Sequence, residues 1–230
     1  LLDSKQEASV SARTVDRQRN PSRTRGAILA AAAELFATRG YRATSLADVG
    51  ARAGVSRGTP GYFFGSKSSL YRAVIEGAAE DVRRAVRSGR DRARASGHSP
   101  DAILAGAVGE YFDYLHGHGT FVRLVERAAL EGGAFPDELR PAVRAGREAL
   151  AAIAEEVGLD ARPGSAASQL LLSIISLCWF PVIHEHTVAS AIGVPLDSAE
   201  ALTARRDHII RLMLHGLHGL PRGTRRHPEN

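Results

Sequence analysis

The sequence predicts an all-α chain: an N-terminal three-helix domain containing a helix-turn-helix, followed by a larger helical domain. Three observations predict it. Apolar residues recur at helical spacing, and no run alternates with the period of two that marks a strand. Glycine and proline clusters divide the helical stretches, at His116-Gly117-His118-Gly119, Gly132-Gly133 with Pro136, Arg162-Pro163-Gly164, and Gly193 to Pro195. Between Ser45 and Phe64, two short apolar-faced segments flank a glycine turn at Gly54.

The elements follow in order. Residues 1–21 are polar, carry Lys5, Arg13, Arg17 and Arg19, and have no periodic apolar face, so a flexible basic arm is expected. From Ser22, read as an N-cap, the residues Ile28, Leu29, Ala32, Leu35 and Phe36 form one helical stripe that Gly40 ends. Ser45 caps a second helix, with Asp48 three residues on, and Leu46, Val49 and Ala53 form its inner face. Gly54 makes the turn and Val55 is a buried anchor. Ser56 then caps a third helix that runs to Phe64 and stops at Gly65-Ser66. Residues 22–67 form the first domain and 68–230 the second. Helices of the second are expected near 67–95, 100–115, 119–132, 137–157, 164–190 and 198–218. Ser99-Pro100-Asp101 supplies a cap, a first-turn proline and a first-turn acid.

Composition narrows the function. Among 230 residues, 44% are hydrophobic and 24% charged, the mix of a folded globular protein. The longest apolar stretch, Leu170 to Ile183, holds two serines and Pro181 and falls short of the roughly 20 residues of a membrane helix. No apolar run lies in residues 1–25, so no secretory signal is read there. Cys178 is the single cysteine, which excludes an internal disulfide and a cysteine-based zinc site. A cytoplasmic protein without a membrane partner is expected. Residues 1–72 carry 12 basic and 5 acidic side chains, whereas the remainder carries 18 and 20. The positive end therefore suits a polyanion.

The helix-turn-helix gives that polyanion an identity. The start of its second helix presents Arg57, Gly58 and Thr59. Arg57 can donate to guanine edges or phosphate, Thr59 can reach a phosphate or a thymine methyl, and Gly58 permits close backbone approach. Tyr62 and Lys67 lie further along, where a phenol and an ammonium can bond phosphate. No phosphate-binding glycine loop, dinucleotide fingerprint or nucleophile elbow is present. The clustered histidines, His116/His118, His184/His186 and His208/His215/His218, lack the companions of a metal site and read as structural or surface residues. No metal and no cofactor is expected.

The run Arg25 to Leu70 resembles the DNA-binding region of the TetR family of bacterial one-component repressors. The matching residues are Ile28-Leu29, Ala32, Leu35-Phe36, Gly40-Tyr41, Thr44, Val49, Ala53-Gly54-Val55-Ser56, Gly58, Tyr62, Phe64, Ser66-Lys67 and Leu70. The resemblance implies a recognition helix over Ser56 to Phe64 and DNA contacts from Thr44, Arg57, Thr59, Tyr62 and Lys67, and Ser56 and Gly58 at the helix start complete the expected DNA-binding set. Three departures stand out. Pro60-Gly61 replaces the family's Leu-Tyr before Tyr62, Phe63 replaces a histidine, and Gly50 replaces a usual alanine. Beyond residue 75 the resemblance is to the family's plan, a variable helical domain that dimerises and often binds a small molecule.

The residues independently support that plan. Leu170, Leu171, Leu172, Ile174, Ile175, Leu177, Cys178, Phe180, Val182 and Ile183 cover every face of their helix, and such a helix needs cover on all sides. Leu202, Ile209, Ile210, Met213, Leu217 and Leu220 form a second stripe. The two helices, 164–190 and 198–218, are expected to join their symmetry mates in a homodimer. Tyr111, Tyr114, Phe121, Trp179 and His184 are expected to line a largely apolar pocket with a few polar tips. The combined reading is a DNA-binding transcriptional regulator, a repressor released from a double-stranded operator by a largely apolar small molecule. A DNA-binding regulator without such a ligand is the alternative. A helical enzyme using His184, Glu185 or His116 is disfavoured, because no nucleophile, base and orienting group line up.

Overall fold

A computed structural model describes residues 21–97, 99–132, 147, 151, 153–155, 158–160, 162 and 164–219. The basic arm up to residue 20, most of the helix expected over 137–157, and Leu220 lie outside the described residues. Among the described residues all regular structure is helical. The chain divides into two compact units between Val74 and Ile75.

The first unit, the head, begins with α1 (Pro21–Arg39). The helix already runs at Pro21, so Ser22 lies inside its first turn and does not cap it. Proline's fixed φ and missing N–H suit that first turn. Ile28, Ala32, Leu35 and Phe36 are buried along one face. Gly40, at φ +87°, closes the helix by donating its N–H to the Phe36 carbonyl at 3.1 Å. Next, α2 (Leu46–Arg52) starts on a full capping box. The Asp48 N–H donates to Ser45 Oγ at 3.1 Å, and the Ser45 N–H donates to Asp48 Oδ2 at 2.9 Å.

The recognition helix is shorter than expected. It is α3 (Thr59–Phe64), and Gly58, not Ser56, stands at its N-cap position. Pro60 explains the change. A helix capped at Ser56 would need the residue-60 N–H to bond the Ser56 carbonyl, and proline has none. That carbonyl accepts the Thr59 N–H instead, at 3.0 Å, and residues 56–58 form a turn. Val55 is half-buried rather than fully buried.

Helix α4 (Lys67–Ala95) follows Gly65, which adopts φ +76°. Leu70, Tyr71 and Val74 are buried, and the Tyr71 ring meets Phe36 edge-on at 5.1 Å. These turns of α4 complete the head's core, so the division between units falls inside this helix and not at its start.

The second unit holds the rest of α4, then α5 (Pro100–Gly117), α6 (Gly119–Gly132), α7 (Ala166–His184) and α8 (Ala199–His218). Ser99 and Ser198 cap α5 and α8 by accepting the N–H of Ala102 and Ala201. Helix α7 continues through buried Pro181 and gives way to a π-helical turn, Glu185–Ala189. Phe112, Leu115, Val122, Ala167, Cys178 and Ile209 form the innermost core. Leu217 belongs to this core within its own chain. By contrast, Leu172, Phe180 and Leu212 are 59%, 48% and 46% exposed. The span Ala166–Ala189 is long and apolar enough, by length and composition, to cross a membrane. The apolar stretch Leu170 to Ile183 alone is shorter, and the helix extends beyond it at both ends.

Helices α4 and α5 meet at backbone contact. A Cβ on Gly89 would lie 2.1 Å from the Gly106 carbonyl oxygen, and one on Gly106 would lie 2.6 Å from that of Gly89. No side chain fits there. Gly89→Val should therefore force the helices apart and lower stability by about 1–3 kcal/mol, read as a fall in the urea midpoint. An unchanged midpoint would contradict the tight crossing.

Candidate DNA-recognition surface and the buried aromatic cluster

The head's surface is built around the turn and α3. Arg57 and Gly58 are exposed, and Tyr62 is 88% exposed. Burying Pro60 beneath them turns Tyr62 outward, with its ring against Phe63 at 5.5 Å. Ser56 Oγ and Thr59 Oγ1 share a hydrogen bond of 2.7 Å, which fixes two hydroxyls side by side at the start of the helix. The Lys67 ammonium donates to the Tyr41 carbonyl at 3.0 Å and lies 4.4 Å from the centre of the Tyr41 ring. An ammonium has three donors, so this leaves capacity for a phosphate. Arg25 lies over the Phe64 ring, 5.0 Å from its centre. It is a further exposed cation beside α3 that no sequence spacing singled out.

Thr44 does not share this surface. It is 1% exposed, and its hydroxyl donates to the Gly40 carbonyl at 2.9 Å, with the Leu35 carbonyl at 3.3 Å. The side chain expected to contact DNA instead ties the end of α1 to the loop before α2.

In the second unit, three of the five expected pocket residues come together. The Trp179 indole N–H donates to the Tyr111 hydroxyl, and Phe121 meets Trp179 edge-on at 5.9 Å. Burial pushes the Tyr111 phenol above its ordinary pKa, so it stays neutral. Tyr114 and His184 have other partners. Tyr114 donates to the Ala78 carbonyl at 3.4 Å and stacks on His118 at 4.3 Å. His184 packs on Phe180 at 4.3 Å, with Thr187 Oγ1 3.3 Å from its Nδ1. A cleft of about 380 Å³ lies between α4, α5 and α8, beside Gly89, Gly106, Glu110 and Arg206. None of the five expected residues lines it. Among the described residues no group of three or more metal-ligating side chains gathers. His218 instead pairs with Asp101 at 3.0 Å.

Residues 28–74 match the model of bacterial regulatory proteins of the tetR family, and residues 100–213 match that of the tetracyclin repressor-like C-terminal domain. The chain belongs to the TetR family. TetR-family members are DNA-binding transcriptional regulators, typically dimeric and with small-molecule ligands. This TetR-family chain is 27% identical to the HTH-type transcriptional repressor NicS of Pseudomonas putida, over 87% of its own length and 95% of that protein's. It is 33% identical to the HTH-type transcriptional activator FasR of Mycolicibacterium smegmatis, over 44% of each chain. Its fold matches that of the fatty acid degradation regulator FadR from Bacillus halodurans with a TM-score of 0.66, at 16% identity, covering 83% of this chain and 98% of that one.

The capping box has a consequence for pH. The Ser45 hydroxyl, then the Ser45 N–H, hold the Asp48 carboxyl below its ordinary pKa. Its contribution to stability is therefore complete above the ordinary carboxylate value and lost as pH falls through the lower folded value. Asp48→Asn should lower the melting temperature at neutral pH and make no difference in strong acid. An equal effect at both pH values would show that the charge plays no part.

Proposed function

We propose that this TetR-family regulator is a cytoplasmic homodimeric repressor that a largely apolar small molecule releases from its operator. The observation that carries DNA reading is the grouping of Arg57, Gly58 and Tyr62 as exposed residues around the Ser56–Thr59 hydroxyl pair. Arg57 reads base edges, the hydroxyls and Tyr62 meet backbone phosphates, and Lys67 adds a cation from α4. Thr44 supports the surface from within. Repression is favoured by the near full-length match to a repressor, whereas the match to an activator covers less than half of either chain.

The homodimer reading is supported by exposed Leu172, Phe180 and Leu212 on α7 and α8. A second copy of the same two helices covers such a face and makes a four-helix seam. The seam lies on these residues and not on Leu217.

The ligand reading is supported by the Tyr111–Trp179–Phe121 cluster. Two polar tips there bond each other within an apolar setting. A planar, largely apolar ligand with one polar group takes the place of that bond, with Tyr114 and His184 at the margin.

Three measurements check these claims. Arg57→Ala should weaken binding to a duplex selected by the wild-type protein by about 1–3 kcal/mol, while Lys67→Ala should lower the salt slope by about one and affect all sequences alike. Unaltered binding in both variants would remove this surface. Leu212→Arg should give monomer in sedimentation, and a stable dimer would place the seam elsewhere. Trp179 is the single tryptophan, so binding of a planar apolar compound should shift its emission and weaken DNA binding together. A compound that releases DNA with no change in that emission would place the ligand outside the cluster.

A further inference from the structure

We propose that Gly50 is a positioning residue for operator recognition: its missing side chain seats the Ser56–Arg57 backbone against α2 and so sets where Arg57 reaches DNA. The proposal rests on the reading of Arg57 as a DNA contact.

Gly50 is buried in the middle of a seven-residue helix, where glycine costs about 1 kcal/mol relative to alanine. Its φ is not positive, so the backbone does not require glycine there, unlike Gly54 at φ +68°. Space requires it. A Cβ on Gly50 would lie 2.9 Å from the Ser56 carbonyl oxygen, 3.2 Å from Arg57 Cα and 3.4 Å from the Ser56 carbonyl carbon. All three atoms are backbone, and none can swing aside as a side-chain tip would.

The struck atom matters more than the distance. The Ser56 carbonyl accepts the Thr59 N–H, the bond that closes the turn leading into α3. Pro60 has no N–H to reinforce that bond. On the other side, the Gly50 carbonyl accepts the Val55 N–H at 2.9 Å, which pins the turn to α2. Adding a Cβ therefore displaces the Ser56 carbonyl while its anchor stays, and the displacement falls on Arg57 and the first turn of α3. Arg57 carries a long side chain whose bidentate contact with a base depends on angle as well as reach. Gly50 and Pro60 thus bear on one carbonyl. An alanine at position 50 requires a turn seated further from α2 than this one.

The test uses the full chain and a duplex selected from a randomised library by the wild-type protein. Gly50→Ala, Arg57→Ala and the double variant are titrated against that duplex and against mixed-sequence duplex, and each is melted. Gly50→Ala is expected to bind the selected duplex about 5- to 150-fold more weakly, the effect of one lost bidentate contact. Its binding to mixed-sequence duplex should fall much less, and its melting temperature should change little, the helix propensity gained by alanine offsetting the cost of the displaced turn. The double variant should bind no more weakly than Arg57→Ala alone. Wild-type affinity of Gly50→Ala for the selected duplex, alongside a loss in Arg57→Ala, would overturn the positioning role and leave the DNA surface standing. Unchanged binding in Arg57→Ala would instead overturn the underlying reading. A lower melting temperature in Gly50→Ala, with equal losses on both duplexes, would mark a packing role only and also overturn the proposal.

Discussion

The small core of the head is the constraint on which its DNA-facing surface depends. Residues 21–74 have room for one layer of large apolar side chains, and Ile28, Leu35, Phe36, Val49 and Leu70 fill it. A core of this size leaves little surplus stability. The helix ends must therefore be closed by local bonds. Gly40 closes α1, the Ser45–Asp48 box opens α2, and Gly65 closes α3. The buried Thr44 hydroxyl belongs to the same group. Leaving its donor unpaired inside the head would cost about 1–3 kcal/mol, and the Gly40 carbonyl removes that cost.

A surface that must read DNA cannot also be packed, so the turn between α2 and α3 has few contacts to define it. Its geometry comes from backbone. Two carbonyls, of Gly50 and Ser56, accept the N–H groups of Val55 and Thr59. The side chains above them are left free of packing duties, as the exposure of Arg57 and Tyr62 shows. Pro60 serves both ends, buried beneath the helix while denying it an earlier start.

Most of this was legible in residue order because the signals are local. Capping by Ser45 and Ser99, the stop at Gly40, and the extents of α4, α6 and α8 depend on neighbours a few residues away. The errors share a different cause. Ser22 and Ser56 have the chemistry of caps, but Pro21 and Pro60 decide where the helices begin. Thr44 has the chemistry of a phosphate contact, yet the Gly40 and Leu35 carbonyls reach it first, and a bond spanning nine residues leaves no periodic trace. Gly50 could be seen to depart from the family pattern, but not that it faces the Ser56 carbonyl. In the second unit, Tyr111 and Trp179 stand out in the sequence as aromatics with polar tips. That they satisfy each other needs three-dimensional knowledge, since they stand 68 residues apart.

The Tyr111–Trp179 pair also bounds what a ligand must supply there. Replacing one buried hydrogen bond by another leaves the polar count unchanged, so the driving force has to come from apolar area. A coupling between ligand and DNA of 1–3 kcal/mol is typical of allosteric proteins. At about 25 cal/mol per Å², that requires a difference of only about 40–120 Å² in apolar surface buried between the two states. One aromatic ring suffices. The proposed ligand mode at a cluster already closed by its own aromatics is therefore workable, provided one polar atom of the ligand accepts from both the Trp179 N–H and the Tyr111 hydroxyl. Strictly aliphatic compounds of equal size would leave a buried donor unpaired, and the same 1–3 kcal/mol that they gain by burial would be lost to that donor. Under the proposed ligand mode, selectivity is thus set by the single polar atom of the ligand, and strength by its ring.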